Sequence, residues 1–339
     1  MSAAGTTTTM RAVVSRTYGS PDVLALEDVP RPVPADGQVL VRVRAAGVNP
    51  LDWHYLRGAP SVMRVVEPTF GRRGARQPVR GAEVAGVVEA VGPGVAGLRP
   101  GDEVMGGVDA AWAELVCADE SAFVPKPAGL TFEQAAVIPL AGCTALQGLR
   151  DVGKLTAGQS VLINGASGGV GTFAVQIARS MGAEVTAVCS ARNVDLVRSL
   201  GADHVVDYEA EDPLDTATQY DVVIDNAGGV RIKDWRRVVR RGGAILPNSG
   251  VRGPDGGALM RVAKAQWHRL VAPQRVLTVV SSASPQALEE VGQHLASGRF
   301  RPLIDTMFTL DHAPEALARV GTHHARGKVI ITMPSEATP

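Results

Sequence analysis

The run Val161-Leu162-Ile163-Asn164 breaks abruptly into Gly165-Ala166-Ser167-Gly168-Gly169-Val170-Gly171, and this change constrains the chain more than any other stretch. Val170, Phe173, Ala174 and Ile177 then fall at i, i+3, i+4 and i+7, the spacing of one helical face. The segment reads as strand, turn and helix. The first N–H groups of such a helix lack intrahelical partners and carry the positive end of its dipole, so a pyrophosphate docks where side chains are absent. Gly165, Ser167, Gly168, Gly169 and Val170 are therefore expected to hold a dinucleotide.

In a dinucleotide fold the residue that meets the adenosine ribose ends the second strand, about 20 residues past the turn, and an acid there favours NAD. Here that strand ends Cys189-Ser190-Ala191-Arg192-Asn193, with no carboxylate to repel a 2′-phosphate. Ser190 offers a hydroxyl donor and Arg192 a planar fork, so NADPH is the expected cofactor. Tyr208, just past the third strand, is placed at the same adenosine end. Ligands of open α/β sheets lie beyond the carboxyl ends of strands, so Asn226 in Asn226-Ala227-Gly228-Gly229 and Ser249 in Asn248-Ser249-Gly250 are expected to line the nicotinamide half. The glycines also fit the spacing of a short-chain dehydrogenase, which needs a tyrosine with a lysine four residues later. Tyr18, Tyr55, Tyr208 and Tyr220 are followed at that distance by Asp22, Ala59, Asp212 and Ile224, so that chemistry is lacking.

The flanking sequence has another texture. From Met10 to Phe123, Val39, Val41 and Val43 alternate with Leu40, Arg42 and Arg44, and Asp36-Gly37, Gly92-Pro93-Gly94 and Arg99-Pro100-Gly101-Asp102 read as turns. A β-rich domain is expected there. Strand candidates at 185–189, 205–207, 222–225, 244–246 and 276–280, with helices at 193–200 and 232–240, predict a doubly wound parallel sheet between about 143 and 280. A helix at 285–297 and a strand at 328–332 are too little to fold alone and are expected to return to the first domain. Residues 1–9 read as a disordered tail, and Arg64, Arg72, Arg73, Arg76 and Arg80 as an exposed loop. The 34 basic and 34 acidic residues balance to zero net charge, so no global attraction to nucleic acid or an anionic membrane is expected. Cys117, Cys143 and Cys189 are odd in number, far apart and outside any C-x-x-C, which points to a reducing, cytoplasmic compartment and against a zinc knuckle.

The chain resembles the medium-chain dehydrogenase/reductase superfamily, in its zinc-free quinone oxidoreductase branch. The resemblance rests on Ala46-Gly47-Val48-Asn49-Pro50-Leu51-Asp52-Trp53, Gly86, Pro100-Gly101-Asp102-Glu103-Val104, Thr144-Ala145-Leu146-Gln147, Gly165 to Gly171, Asp225-Asn226 and Arg326-Gly327-Lys328-Val329. It implies an α/β architecture in which a GroES-like catalytic domain, 10–141 and 282–339, is interrupted by a Rossmann NADPH-binding domain, 142–281. It also implies an active site in the cleft between them and a homodimer. Zinc-dependent relatives carry cysteine where this chain has Asn49 and a His-Glu pair where it has Ala82-Glu83, so a tetrahedral zinc shell is not expected. By the same resemblance, Asn49 sits near nicotinamide and substrate, Thr144 contacts the nicotinamide side, and Lys328 reaches the cofactor from the last strand.

Without a Lewis acid to polarise an alkoxide, reduction of an electrophilic acceptor is the natural chemistry. A quinone or α,β-unsaturated carbonyl takes hydride directly and needs only donors for its oxygen and a proton. Asp52, His54 and Tyr55 are candidates for a proton relay, with water as the alternative. An enoyl reductase acting on a thioester or polyketide intermediate is the competing enzyme reading. A non-catalytic NADPH-binding protein is the competing class.

Overall fold

The computed structural model describes residues 8–59, 71, 74–249, 254–256, 258–280 and 282–334. The expectations for the tail up to Thr7, for Arg64, Arg72 and Arg73, and for Gly250 lie outside these residues. The chain divides into two compact units. One runs up to Pro139 and takes back Ala283–Ala296 and the chain from Ile304; the other is Leu140–Ser282 with Ser297–Leu303.

The first unit is built on a seven-stranded sheet of β3 (Gln38–Val48), β4 (Val84–Val91), β5 (Glu103–Gly106), β6 (Leu115–Asp119), β7 (Phe123–Pro125), β14 (Ile304–Thr309) and β15 (Lys328–Thr332). The order is β14-β15-β3-β4-β5-β7, with β6 also paired to β3. Alternation along β3 decides its packing: Val39, Val41 and Val43 all enter the main core, while Leu40 joins a smaller cluster with Met10, Ala12, Ala113 and Leu115. A separate ribbon pairs β1 (Thr9–Val14) with β2 (Ala25–Pro30). Thr9 is thus no part of a loose tail, because its backbone pairs with Pro30 and the carbonyl of Thr8 accepts from Arg31. Arg80 likewise departs from the exposed loop expected of it, being buried with its guanidinium on the carbonyls of Gln77 and Pro78.

The second unit is a six-stranded parallel sheet: β8 (Ser160–Asn164), β9 (Glu184–Cys189), β10 (His204–Asp207), β11 (Tyr220–Asp225), β12 (Val239–Pro247) and β13 (Arg275–Val276). Its order, β10-β9-β8-β11-β12-β13, puts the first strand beside the fourth, and strand order reverses there. The expected helix at 232–240 stops at Trp235, because Val239 already pairs with Tyr220 in β12. The expected strand at 276–280 is only Arg275–Val276, and β14 and the helix Ala313–Gly321 were not foreseen. Ser297–Leu303 is held to the second unit by Gln176, whose amide exchanges two hydrogen bonds with the backbone of Arg301 at 2.7 and 3.2 Å.

One buried ionic network fastens the helix Ala258–Val271 to the end of β11. Asp225 is fully buried and accepts from Asn164 Nδ2 at 2.8 Å, Gly228 N at 2.8 Å, Trp235 Nε1 at 2.9 Å and Arg261. Arg261 also reaches Asp255 at 3.2 Å, and Asp255 caps the N–H of Ile232 at 3.0 Å. Removing one member of such a pair strands an uncompensated charge. Arg261→Met is expected to cost about 3–5 kcal/mol, read as a lowered urea midpoint at unchanged slope, whereas exposed Arg179→Met costs about 1 kcal/mol or less.

Candidate functional site

The glycine turn sits where the sheet order reverses, at the carboxyl end of β8. Gly165 takes φ +75°, a conformation L side chains resist. A Cβ on Gly171 would stand 2.2 Å from the carbonyl oxygen of Gly165, so the helix Gly169–Ser180 approaches the turn only because that side chain is missing. Gly168 forms the helix N-cap, and the N–H groups after it open onto the turn as at any helix start. A helix start with this glycine turn has the geometry in which a pyrophosphate can dock.

At the end of β9, Asn193 meets Ser190 from the same strand end and Ser167 from the glycine turn. Its Nδ2 donates to Ser167 Oγ at 3.0 Å and Ser190 Oγ at 3.2 Å, which joins the glycine turn to the second strand. Ser190 and Asn193 are buried, Arg192 is exposed, and Tyr208 is half exposed with its N–H on the carbonyl of Cys189. At the end of β11, Asn226 accepts from Asn248 Nδ2 at 2.8 Å while its own Nδ2 is buried without a protein partner. Gly228 has φ +78° and lies against Ser249 Oγ, where a Cβ would come within 2.7 Å. Asn226 and Ser249 therefore flank one turn. Thr144 is buried in the short helix Cys143–Leu146, which packs on the helix Gly169–Ser180. A buried donor with no protein partner beside a glycine cradle fits a polar dinucleotide.

In the first unit, β15 runs antiparallel to β3 with Val329 opposite Val48, so Lys328 lies beside Asn49. Lys328 is buried, and its ammonium donates to Glu83 Oε1, Asn49 Oδ1 and, at 3.4 Å, the carbonyl of Val48. Asn49 Nδ2 donates to the same Glu83 oxygen at 2.9 Å. Gly47 makes room for this carboxylate, since a Cβ there would lie 1.9 Å from Glu83 Oε1. Trp112 is fully buried core, its indole N–H on the carbonyl of Gly47 at 3.1 Å.

Asn49 also caps the helix Pro50–Arg57, and its backbone N–H donates to Asp52 Oδ2 at 2.8 Å. Asp52 and Tyr55, three residues apart on this helix, line one cavity with Gln77, Arg80 and Asp109. His54 points elsewhere on the helix and is not among the lining residues. Burial pushes the Asp52 carboxyl up to about 7, against the Asn49 N–H and the charges of Lys328 and Arg80, which favour ionisation; nearby Glu83 adds to the rise. Burial, then Arg57 and His323, hold the His54 imidazole below its ordinary value. Burial thus favours the protonated form of Asp52 far above the ordinary carboxylate range.

The donor set does not fit a zinc ion. Asn49 and Glu83 stand at positions where zinc-dependent relatives place ligands, yet both are bonded to an ammonium, and Ala82 offers no donor. Among the described residues no three His, Cys, Asp or Glu converge on one point.

The chain matches the family model of an alcohol dehydrogenase GroES-like domain over residues 35–183 and that of a zinc-binding dehydrogenase over 200–331. It is 32% identical over 337 residues to the 2-methylene-furan-3-one reductase of Solanum lycopersicum, covering 95% of this chain and 79% of that protein. It is also 32% identical to the NADPH-dependent alkenal/one oxidoreductase of Arabidopsis thaliana, a chloroplast protein, at the same coverage. Among solved structures, the quinone oxidoreductase from Coxiella burnetii superposes with TM-score 0.85 at 30% identity, covering 96% of this chain and all of that one.

A folded-state value of about 7 for Asp52 exceeds the unfolded carboxylate value of about 3.9, so the folded chain binds this proton more tightly. Its contribution to stability is fully present below about pH 4 and is lost as pH rises to about 7. Asp52→Asn mimics the protonated form and keeps an acceptor for Asn49. Thermal midpoints measured from pH 4 to 8 are expected to fall less steeply in the variant, and an unchanged slope would show that Asp52 ionises normally.

Proposed function

Because the chain belongs to the medium-chain dehydrogenase/reductase superfamily, in its zinc-free quinone oxidoreductase branch, we propose that it uses NADPH to reduce quinones or α,β-unsaturated carbonyls by direct hydride transfer. The observation that carries this reading is the Lys328 ammonium, bonded to Asn49 and Glu83 where zinc relatives carry ligands. It keeps Asn49 an oriented amide.

The dinucleotide, when bound, supplies the hydride. The second unit holds it by the Gly165–Gly171 cradle, with Ser190, Arg192 and Tyr208 toward the adenosine, and Thr144, Asn226 and Ser249 toward the nicotinamide. In the first unit, one hydrogen of Asn49 Nδ2 goes to Glu83, and the other is a donor for an acceptor's carbonyl oxygen as charge develops there. Lys328, its charge balanced by Glu83, fixes the amide in that orientation. Asp52 Oδ2 is occupied by the Asn49 N–H, so Oδ1 carries the proton that the reduced acceptor requires. Arg80 and Tyr55 on the same cavity wall keep that proton's surroundings polar.

We further assign a homodimer. The helix Ala258–Val271 leaves Met260, Val262, Trp267, Leu270 and Val271 exposed, and β13 is a sheet edge with an open row of backbone groups. Three free cysteines agree with a reducing compartment such as the cytoplasm, and no described helix is long and apolar enough to cross a membrane.

Purified, EDTA-treated protein is expected to oxidise NADPH with a naphthoquinone or a 2-alkenal and to leave a saturated alcohol with NADP unreacted. Dependence on added zinc would overturn the mechanism, and turnover of a 2-enoyl thioester alone would transfer the assignment to an enoyl reductase. Trp267→Lys is expected to shift sedimentation from dimer to monomer; a wild-type monomer would refute the assembly.

A further inference from the structure

Asn193 lies in the second unit between the glycine turn and the end of β9. It is 4% exposed, its backbone N–H donates to the carbonyl of Ser190 at 2.8 Å, and its Nδ2 bonds both Ser167 Oγ and Ser190 Oγ. Its Oδ1 is buried with no partner. An amide nitrogen has two hydrogens and no acceptor capacity, whereas a hydroxyl has one hydrogen and two lone pairs. Each serine oxygen therefore spends a lone pair on Asn193 and must direct its own proton elsewhere. Two hydroxyls, at 3.0 and 3.2 Å from one nitrogen, are thus left with protons for which the structure shows no acceptor, and Arg192 follows Ser190 by two residues. Donors without an acceptor fit a group that only accepts, and a phosphate monoester near neutrality is such a group. An unphosphorylated ribose hydroxyl brings a proton of its own and finds no carboxylate here to take it.

We propose that Asn193 is the specificity-determining residue for the 2′-phosphate of NADPH, acting as a positioning residue that sets both serine hydroxyls as donors. This rests on the NADPH reading above. The buried Oδ1 left unsatisfied is the cost of that orientation, since the opposite amide orientation would accept both hydroxyl protons and remove the donors.

The test is kcat/KM for NADPH and for NADH in the wild type and in Asn193→Asp, Asn193→Ala, Ser190→Ala and Arg192→Ala. Asp is nearly isosteric with Asn and the Asn193 side chain makes no cap bond to lose, so Asn193→Asp is expected to fold, and it accepts from both serines instead of donating. The expected result is a loss of NADPH over NADH preference of about 10- to 100-fold in Asn193→Asp, the scale of one or two charge-assisted hydrogen bonds, with NADH kinetics within about threefold of wild type. Asn193→Ala should lose less. Adding Ser190→Ala to Asn193→Asp should lower the preference no further, because the hydroxyl is already turned inward. Equal losses for both cofactors, or an intact preference, would overturn the proposal as showing a structural residue only. Arg192→Ala separates the two readings. If it costs NADPH alone while Asn193→Asp leaves the preference intact, the NADPH reading stands and the role of Asn193 falls; a wild type without preference removes both.

Discussion

The buried ammonium of Lys328 is the interaction on which the first unit's chemistry depends. A lone ammonium out of water is costly, and here the cost is offset by a carboxylate, an amide oxygen and a backbone carbonyl on segments 245 to 280 residues away in sequence. Those distances are spanned only because β15 pairs with β3 after the chain has left to build another unit and come back. The same contact explains why Gly47 lacks a side chain, why Glu83 is tolerated at zero exposure, and why Asn49 presents its amide in one orientation.

The second unit solves a similar problem with opposite sign. Asp225 is a buried anion at the end of β11, and its oxygens collect Asn164 from β8, the N–H groups of the Asn226–Gly228 turn, Trp235 and Arg261. One carboxylate thereby sets the relative placement of the strand that enters the glycine cradle and the turn that bears Asn226. Arg261 supplies the compensating charge from a helix whose other face is apolar and exposed, so the surface assigned to a second subunit and the turn assigned to the cofactor share one element.

Much of this was legible in the residues. The glycine turn and the parallel sheet follow from local spacing, because strand-to-helix turns are short-range structures. The boundaries that failed were those set by distant partners: the helix expected over 232–240 ends early because Tyr220 claims Val239, and Thr9 is ordered because Pro30 is across from it. Asn193 was overlooked for a related reason. As one more polar residue at a helix start it carries no signal, and only the approach of Ser167 from 26 residues upstream gives it two partners.

The sequence by itself determined the fold class, the glycine turn after β8, the absence of a thiolate and an imidazole at Asn49 and Ala82, and the family, since each is written in contiguous residue types with fixed spacing. The tertiary structure decided the burial that raises the Asp52 carboxyl, the partners of Lys328 and Glu83, and the meeting of Asn193 with Ser167 and Ser190. Those are properties of burial and of groups brought together from far along the chain, and desolvation and hydrogen-bond direction have no value until the packing that removes water is in place.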